Sequence, residues 1–151
     1  MNDTKYESKW YLVHCKSKQD RVAEQNLTRQ GFSCFRATCS ASINNKNISY
    51  SGDSLFPGYI FIRLTLDTSW APIKSTKGVL RIVSFGKKPL SIKADIIDSL
   101  KARSEDSSLV EFARITSEID FTLYKKINDI CQYESEEKRT ACFMRLVTNE
   151  G

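Results

Sequence analysis

The chain has almost none of the residues from which catalytic and metal sites are built. Its 151 residues include one histidine, His14, and five cysteines at positions 15, 34, 39, 131 and 142, with no CxxC pair among them. A tetrahedral zinc site takes four N or S ligands, usually in close pairs. Cys34 and Cys39 have only loose ligand spacing and the histidine sits elsewhere, so small buried thiols are the better reading. His14 and Cys15 adjoin, but adjacent residues of a strand point to opposite faces and cannot act as base and nucleophile. Six glycines occur, none spaced as GxxxxGK[ST] or GxGxxG, which removes the common phosphate loops. No catalytic constellation remains, and neither cofactor nor metal is expected. An odd number of scattered cysteines argues against a disulfide framework and for a reducing compartment. Long apolar runs are missing too. The opening MNDTKYESK lacks an apolar h-region, and no later window reaches the roughly 18 apolar residues of a membrane span. The expectation is a soluble, cytoplasmic protein with no membrane partner.

What is present is apolar mass and an uneven charge. The composition, 40% hydrophobic and 11% aromatic, is enough for the core of one domain with a small appendage. Residues 1–101 carry 16 Lys and Arg against 8 Asp and Glu, a balance of +8, whereas residues 102–151 carry 7 against 10, or −3. A basic unit suits a polyanion such as nucleic acid, and an acidic unit is a fitting internal partner for it; both patterns also suit a plain solvated surface.

The pattern along residues 1–101 is α/β. WYLVHC is aromatic and β-branched as strands are, and Ser17 followed by KQDRVAEQNLTRQ and Gly31 has the N-cap, body and C′ glycine of a helix. GFSCFRA reads as a second strand, and SASINNKNISYSG as a hairpin turning at Asn44–Asn47. YIFIRL is the strongest strand; DTSWAPIKSTKG is a short helix or loop ending in glycine, and VLRIVSFG is another strand. A last helix begins after Ser91, with Ile96, Ile97 and Leu100 on one face. The polar stretch 102–114, including ARSEDSSLVEF, is a linker. Residues 115–151 form a small C-terminal unit. There Ile119, Leu123, Ile127 and Ile130 recur at helical spacing, as do Phe143, Leu146 and Val147, separated by YESEEKR. That predicts a helical hairpin, although the alternation Ala141, Phe143, Arg145, Val147 also permits a strand.

The run LFPGYIFIRL crowds apolar and aromatic residues together. Strand alternation places Tyr59, Phe61 and Arg63 on one face and Ile60, Ile62 and Leu64 on the other. One face suits a core. The other is either covered by the domain's own helix or kept apolar for a partner.

Three segments in order, WYLVHCKSKQDRVAEQNLTRQGF, LFPGYIFIRL and IKSTKGVLRIVSFGKKP, resemble the N-terminal domain of NusG-type transcription elongation factors over about 90 residues. The likeness is nearest the RfaH branch in WYL..CK, Arg29-Gln30 and STKGV..IVSFG. The resemblance implies a mainly antiparallel sheet flanked by helices, non-enzymatic, acting as a monomer on RNA polymerase to suppress pausing and termination. It implies an apolar cavity for the polymerase β′ clamp helices at His14, Tyr59, Phe61 and Phe85, with Trp70 at a position where general NusG proteins also carry tryptophan. It implies reading of the non-template DNA strand through Lys16, Asn26, Arg29, Gln30, Thr76 and Lys77, with Lys74 adding phosphate neutralisation. Asn26, Arg29 and Gln30 share one helix face by spacing alone. Ser69, Trp70, Ala71 and Pro72 replace the loop that meets the β subunit in the RfaH branch, which puts that contact in doubt. For the tail, SEEKRTACFMRLVTNE resembles the RfaH C-terminal helical hairpin, which covers the polymerase-binding face and is able to refold as a KOW-like β-barrel that recruits a ribosomal protein. The KOW glycines are absent here. An interdomain latch between Asp53 and Arg139 is implied, with Leu123, Ile127, Ile130, Phe143 and Leu146 supplying the apolar contact. The rival readings are a general NusG-like factor without DNA sequence preference and a free-standing nucleic-acid-binding protein.

Overall fold

The computed structural model describes residues 7–38, 42–44, 47–49, 54–65, 67–104 and 121–150. Its centre is an antiparallel pair of apolar strands, β1 (Ser8–Cys15) and β5 (Tyr59–Thr65), registered from Ser8 opposite Thr65 to His14 opposite Tyr59. β2 (Ser33–Phe35) extends the sheet beyond β5. The other edge of β1 is shared: β6 (Val79–Ile82) pairs with its end at Val13–Cys15, and β9 (Ser91–Ile92) with Trp10 and Tyr11. Two small hairpins stand apart, β3 (Ser42–Asn44) with β4 (Asn47–Ser49), and β7 (Ser84–Phe85) with β8 (Lys88–Pro89).

Because side chains alternate along a strand, β1 and β5 present apolar residues on both faces, and each face needs a cover. On one face Val13, Cys15, Ile60, Ile62 and Leu64 are buried with Ala23 and Leu27 of α1 (Asp20–Arg29), Ile73 of α2 (Ala71–Lys74), and Val79 and Ile82. On the other, Leu12, Phe56 and Phe61 are buried with Ile96, Ile97 and Leu100 of α3 (Ala94–Ser104) and with two C-terminal helices. These are α4 (Phe121–Cys131), contributing Leu123, Ile127 and Cys131, and α5 (Glu136–Glu150), contributing Phe143 and Val147. α3 packs against α4, and α4 against α5. The fold is thus an antiparallel sheet between a layer of α1 and α2 and a layer of α3, α4 and α5.

Four expectations change in detail. α1 begins at Asp20 with Gln19 as N-cap and no side-chain cap bond, not at Ser17. The Cys15 and Lys16 amides donate to the Gly58 and Gly78 carbonyls, at 2.7 and 2.8 Å, which holds the chain in a turn with Lys18 at φ 59° before the helix can start. VLRIVSFG is split, because the Val83 amide donates to the Leu12 carbonyl at 2.8 Å and the chain then leaves β1 to form the β7–β8 hairpin. Residues Glu136–Arg139, taken as a separator, open α5 instead; the Ser135 hydroxyl accepts the Lys138 amide at 3.2 Å, and Glu136 and Glu137 sit in the first turn where the helix dipole favours acids. α3 runs on to Ser104, so the first three residues of the expected 102–114 linker are helical. Ile119 lies outside the described residues, as do Cys39 and Asp53.

Gly78 fixes how α1 meets β6. Its φ is +96°, and a Cβ there would stand 2.8 Å from the Ala23 backbone nitrogen. Gly78→Ala therefore combines left-handed strain with a backbone clash, and should lower unfolding stability by about 1–3 kcal/mol in urea titration.

Candidate functional site: an aromatic sheet face and a basic helix edge

The face of β1 and β5 turned toward the C-terminal helices is built of rings. His14 and Tyr59, opposite one another across β1 and β5, stack with centroids 4.7 Å apart and planes at 8°. Phe61 lies between Leu12 and Phe35 in the register and stacks on Phe35 at 5.7 Å. Trp10 flanks the face at its far end, with the Lys101 ammonium 5.0 Å and the Arg63 guanidinium 5.8 Å from its ring.

The C-terminal helices close over the middle of this face. Phe143 of α5 lies 4.4 Å from Phe56, nearly parallel at 22°, and meets Phe61 edge-on at 5.8 Å and 84°. Such ring pairs add about 0.5–1.5 kcal/mol each beyond simple burial. Leu123 and Ile127 are buried in the same cluster, while Ile130, Leu146 and Tyr59 are partly buried against it. Arg139 is only 7% exposed. Its Nε donates to the Leu55 carbonyl at 3.0 Å, and its Nη1 to the carbonyls of Tyr133 and Glu134 at 2.7 and 3.1 Å. One buried guanidinium therefore joins the turn between α4 and α5 to the residue before Phe56, and the carbonyl dipoles offset the cost of its burial. The expected Asp53–Arg139 pairing lies outside the described residues, since Asp53 does; nothing in the local pattern signalled that Arg139 would bond carbonyls.

Two residues expected to bind polymerase, Trp70 and Phe85, stand away from this ring cluster. Trp70 packs edge-on against Tyr11 at 4.8 Å on the opposite side of the sheet. Phe85 projects from the β7–β8 hairpin, 65% exposed. Leu80, not anticipated from the sequence, is 53% exposed on β6.

A second cluster forms at the C-terminal half of α1. The Gln30 amide donates to the Thr76 hydroxyl at 2.7 Å, and that hydroxyl donates to the Pro72 carbonyl at 2.7 Å. The Asn26 amide donates to the Lys77 carbonyl at 3.2 Å, and Arg29 Nη1 donates to Asn26 Oδ1 at 3.4 Å. Lys16 joins the same edge through its bond to Gly78. Asn26, Arg29, Gln30, Thr76, Lys77 and Lys16 are thus one patch, with Lys74 exposed on the neighbouring α2. Hydrogen-bonded amides beside exposed cations can offer both directional hydrogen bonds and phosphate neutralisation.

Residues 8–101, more than half of the chain, match the family described as "Transcription termination factor nusG". The chain belongs to the NusG family. Among solved structures it is similar to that of Thermotoga maritima NusG, described under "Domain interaction in Thermotoga maritima NusG", with 22% identity and a TM-score of 0.47. The likeness covers 68% of this chain and 62% of that one, so the chain spans less than two thirds of that protein's length. In this NusG-family chain the matched residues hold the sheet, α1, α2 and most of α3, while α4 and α5 fall outside the match. No helix among the described residues is long and apolar enough to cross a membrane.

Thiol chemistry is suppressed at the sheet. Burial pushes Cys15 up to about 12, with the charges of Asp20, Cys34 and Glu24 adding to it, and pushes Cys34 up to about 11. Cys15 packs under α1 while His14 stacks on Tyr59 across the sheet, so the two share no chemistry. His14 is itself lowered from 6.5, chiefly by burial and then by Arg81 opposite it on β6, with Asp20 opposing. Since the folded state prefers the neutral ring, its contribution to stability is complete above 6.5 and is lost as pH falls through the lowered folded value. His14 is the single histidine, so its ring protons are unambiguous in an NMR titration, which should give a midpoint below 6.5 in the folded chain and near 6.5 in urea.

Proposed function

We propose that this NusG-family protein is an elongation factor of the antiterminating, RfaH-like kind. It binds the RNA polymerase β′ clamp helices through the Tyr59–Phe61 face and the non-template DNA strand through the α1 edge, and by bridging the two it suppresses pausing. The observation that carries this reading is Phe143 seated on Phe56 and Phe61. A helical hairpin covering the apolar face answers why a basic, polar protein keeps so many rings on one strand: the face has an internal occupant that a partner replaces. In this reading residues 1–101 form the polymerase- and DNA-binding unit and residues 115–151 its docked cover. The interface of Leu123, Ile127, Ile130, Phe143 and Leu146 supplies the apolar energy, and Arg139 fixes the register.

Loosening the cover should favour the partner. Phe143→Ala removes the ring that fills the face, at a cost of about 3–5 kcal/mol to packing. It should tighten binding to core RNA polymerase by about tenfold or more, as measured by fluorescence titration. Tyr59→Ala in the same background should weaken it by about 1–3 kcal/mol. Unchanged polymerase affinity on loosening the cover would show that the hairpin is no competitor of the polymerase.

The DNA half of the proposal separates from the polymerase half. Arg29→Ala with Gln30→Ala should remove preference among non-template sequences in paused complexes, at about 1–3 kcal/mol per lost base contact. Lys16→Ala should weaken binding to all sequences alike and reduce its salt dependence. A general elongation factor, the second reading, would show no sequence preference before any substitution.

A further inference from the structure

The side chains at the α1 edge are oriented by groups whose hydrogen-bonding sense cannot be reversed. A backbone carbonyl only accepts, so the Thr76 hydroxyl, 2.7 Å from the Pro72 carbonyl, commits its one proton there. Toward Gln30, 2.7 Å away, the same hydroxyl has only lone pairs left, and Gln30 Nε2 must be the donor. The amide also donates to the Asn26 carbonyl at 3.3 Å. Turned over, Gln30 would set its Oε1 against the Thr76 lone pairs and that carbonyl, acceptor against acceptor, so the bonding network selects one of the two amide orientations. The backbone holds both partners. The Thr76 amide donates to the Ile73 carbonyl at 3.1 Å and its carbonyl accepts the Val79 amide at 3.0 Å, while the Gln30 backbone amide bonds the Asn26 and Leu27 carbonyls at 3.3 and 3.1 Å. Thr76 is buried and Gln30 exposed. Nε2 is thus occupied within the protein, and Oε1, which accepts no hydrogen bond from the described residues, is the part of the head group left for a ligand. Asn26 is set in the same way: Nδ2 donates to the Lys77 carbonyl at 3.2 Å, which leaves Oδ1 to receive Arg29 Nη1 at 3.4 Å. The edge therefore offers a fixed acceptor, Gln30 Oε1, and a cationic donor, Arg29, both anchored on Asn26.

We infer that Gln30 selects an amino base over a keto base, and that Thr76 is the positioning residue that makes it do so. This role rests on the proposed reading of the non-template strand by the α1 edge, and it names the chemistry that is read. Adenine and cytosine carry an exocyclic amine, N6 or N4, at the place on the base edge where guanine and thymine carry a carbonyl oxygen, O6 or O4. An acceptor that is held from turning over bonds the amine and repels the oxygen, so part of the selectivity is repulsive. A free glutamine turns to suit either group, and its preferred contact with adenine uses its oxygen and its NH2 together. Here Thr76 and Asn26 occupy the NH2. The second contact passes to Arg29, whose guanidinium donates to the ring nitrogen beside the amine. Thr76 itself needs no base: its proton is on Pro72 and its lone pair on Gln30.

The test uses paused elongation complexes assembled with core RNA polymerase and a non-template strand randomised over its single-stranded segment; the full-length chain selects among them and the bound fraction is sequenced. The unmutated chain should show a position at which adenine or cytosine is preferred to guanine or thymine by about tenfold or more. Thr76→Val keeps the shape and loses the hydroxyl, and should bring that ratio close to parity at this position alone. Thr76→Ser keeps the hydroxyl and should preserve it. Gln30→Glu presents only oxygens, so the amino preference should survive while binding to all sequences weakens; Gln30→Leu should abolish the preference. These two changes, at an exposed side chain, carry the test if Thr76→Val does not fold by circular dichroism. Replacing the selected base by its analogue without the amine, purine for adenine or pyrimidin-2-one for cytosine, should weaken binding of the unmutated chain and leave the Gln30→Leu variant unaffected. A keto preference that Gln30→Leu erases, or an amino preference that survives folded Thr76→Val or Gln30→Leu, overturns the fixed-acceptor role and leaves DNA reading intact. No preference at any position in the unmutated chain overturns the sequence reading and this role with it.

Discussion

A two-stranded core that is apolar on both faces must be covered twice, and most of this structure follows from that constraint. The register of β1 against β5 puts Leu12 opposite Phe61 on one side and Val13 opposite Ile60 on the other, and neither side can face water. The first side is covered partly by α3 and partly by α4 and α5; the second by α1 and α2. The two covers differ in kind. α1 is locked down by Gly58 and Gly78 carbonyls accepting the amides that precede it, and by the close backbone approach at Gly78. The α4–α5 pair is held by rings and by one buried guanidinium, contacts between side chains and a face.

Electrostatics separate the two candidate surfaces. The aromatic face is apolar at its centre, where Phe56, Phe61 and Phe143 meet, and carries charge at its margins, with Lys101 and Arg63 over Trp10 and Arg81 opposite His14. The α1 edge is the reverse. Asn26, Gln30 and Thr76 are tied to one another and to the backbone, while Lys16, Lys74 and Lys77 remain exposed at the surface. Pre-bonded amides lose little entropy on meeting a base edge, and exposed lysines suit a flexible phosphate backbone. α1 borders both surfaces: Asp20 at its first turn braces Gly58 beside His14, and Gln30 at its C-cap braces Thr76. Movement of this one helix would disturb both surfaces together.

Local pattern was a good guide wherever periodicity was strong and the chain had no competing demand. The alternation in YIFIRL assigned Tyr59 and Phe61 to one face and Ile60, Ile62 and Leu64 to the other, and the two core clusters divide in that way. Helical spacing at Leu123, Ile127 and Phe143 marked residues that are buried. It was a poorer guide at boundaries. Ser17 has the chemistry of an N-cap, but the Cys15 and Lys16 amides are committed to distant carbonyls and the helix starts later. VLRIVSFG has the composition of one strand, but β9 takes the remaining edge of β1 and the run is broken after Ile82.

Composition, period and spacing by themselves determined that this chain has a basic α/β unit with a two-faced apolar strand and an acidic tail able to form helices. They determined too that Asn26, Arg29 and Gln30 share a helix face, since that depends only on the 3.6-residue turn. Tertiary structure alone decided what lies against each face. It brought Thr76 and Lys77 to α1 across about 50 residues of chain, sent Trp70 to the side away from Tyr59, and aimed Arg139 at the Leu55 carbonyl, 84 residues away in sequence. It also left Leu80 exposed on β6. The physical reason is that a local period reports which side of an element avoids water. Which other element covers that side, and where the cover stops, depends on the path of the intervening chain and on backbone bonds made between residues far apart in sequence.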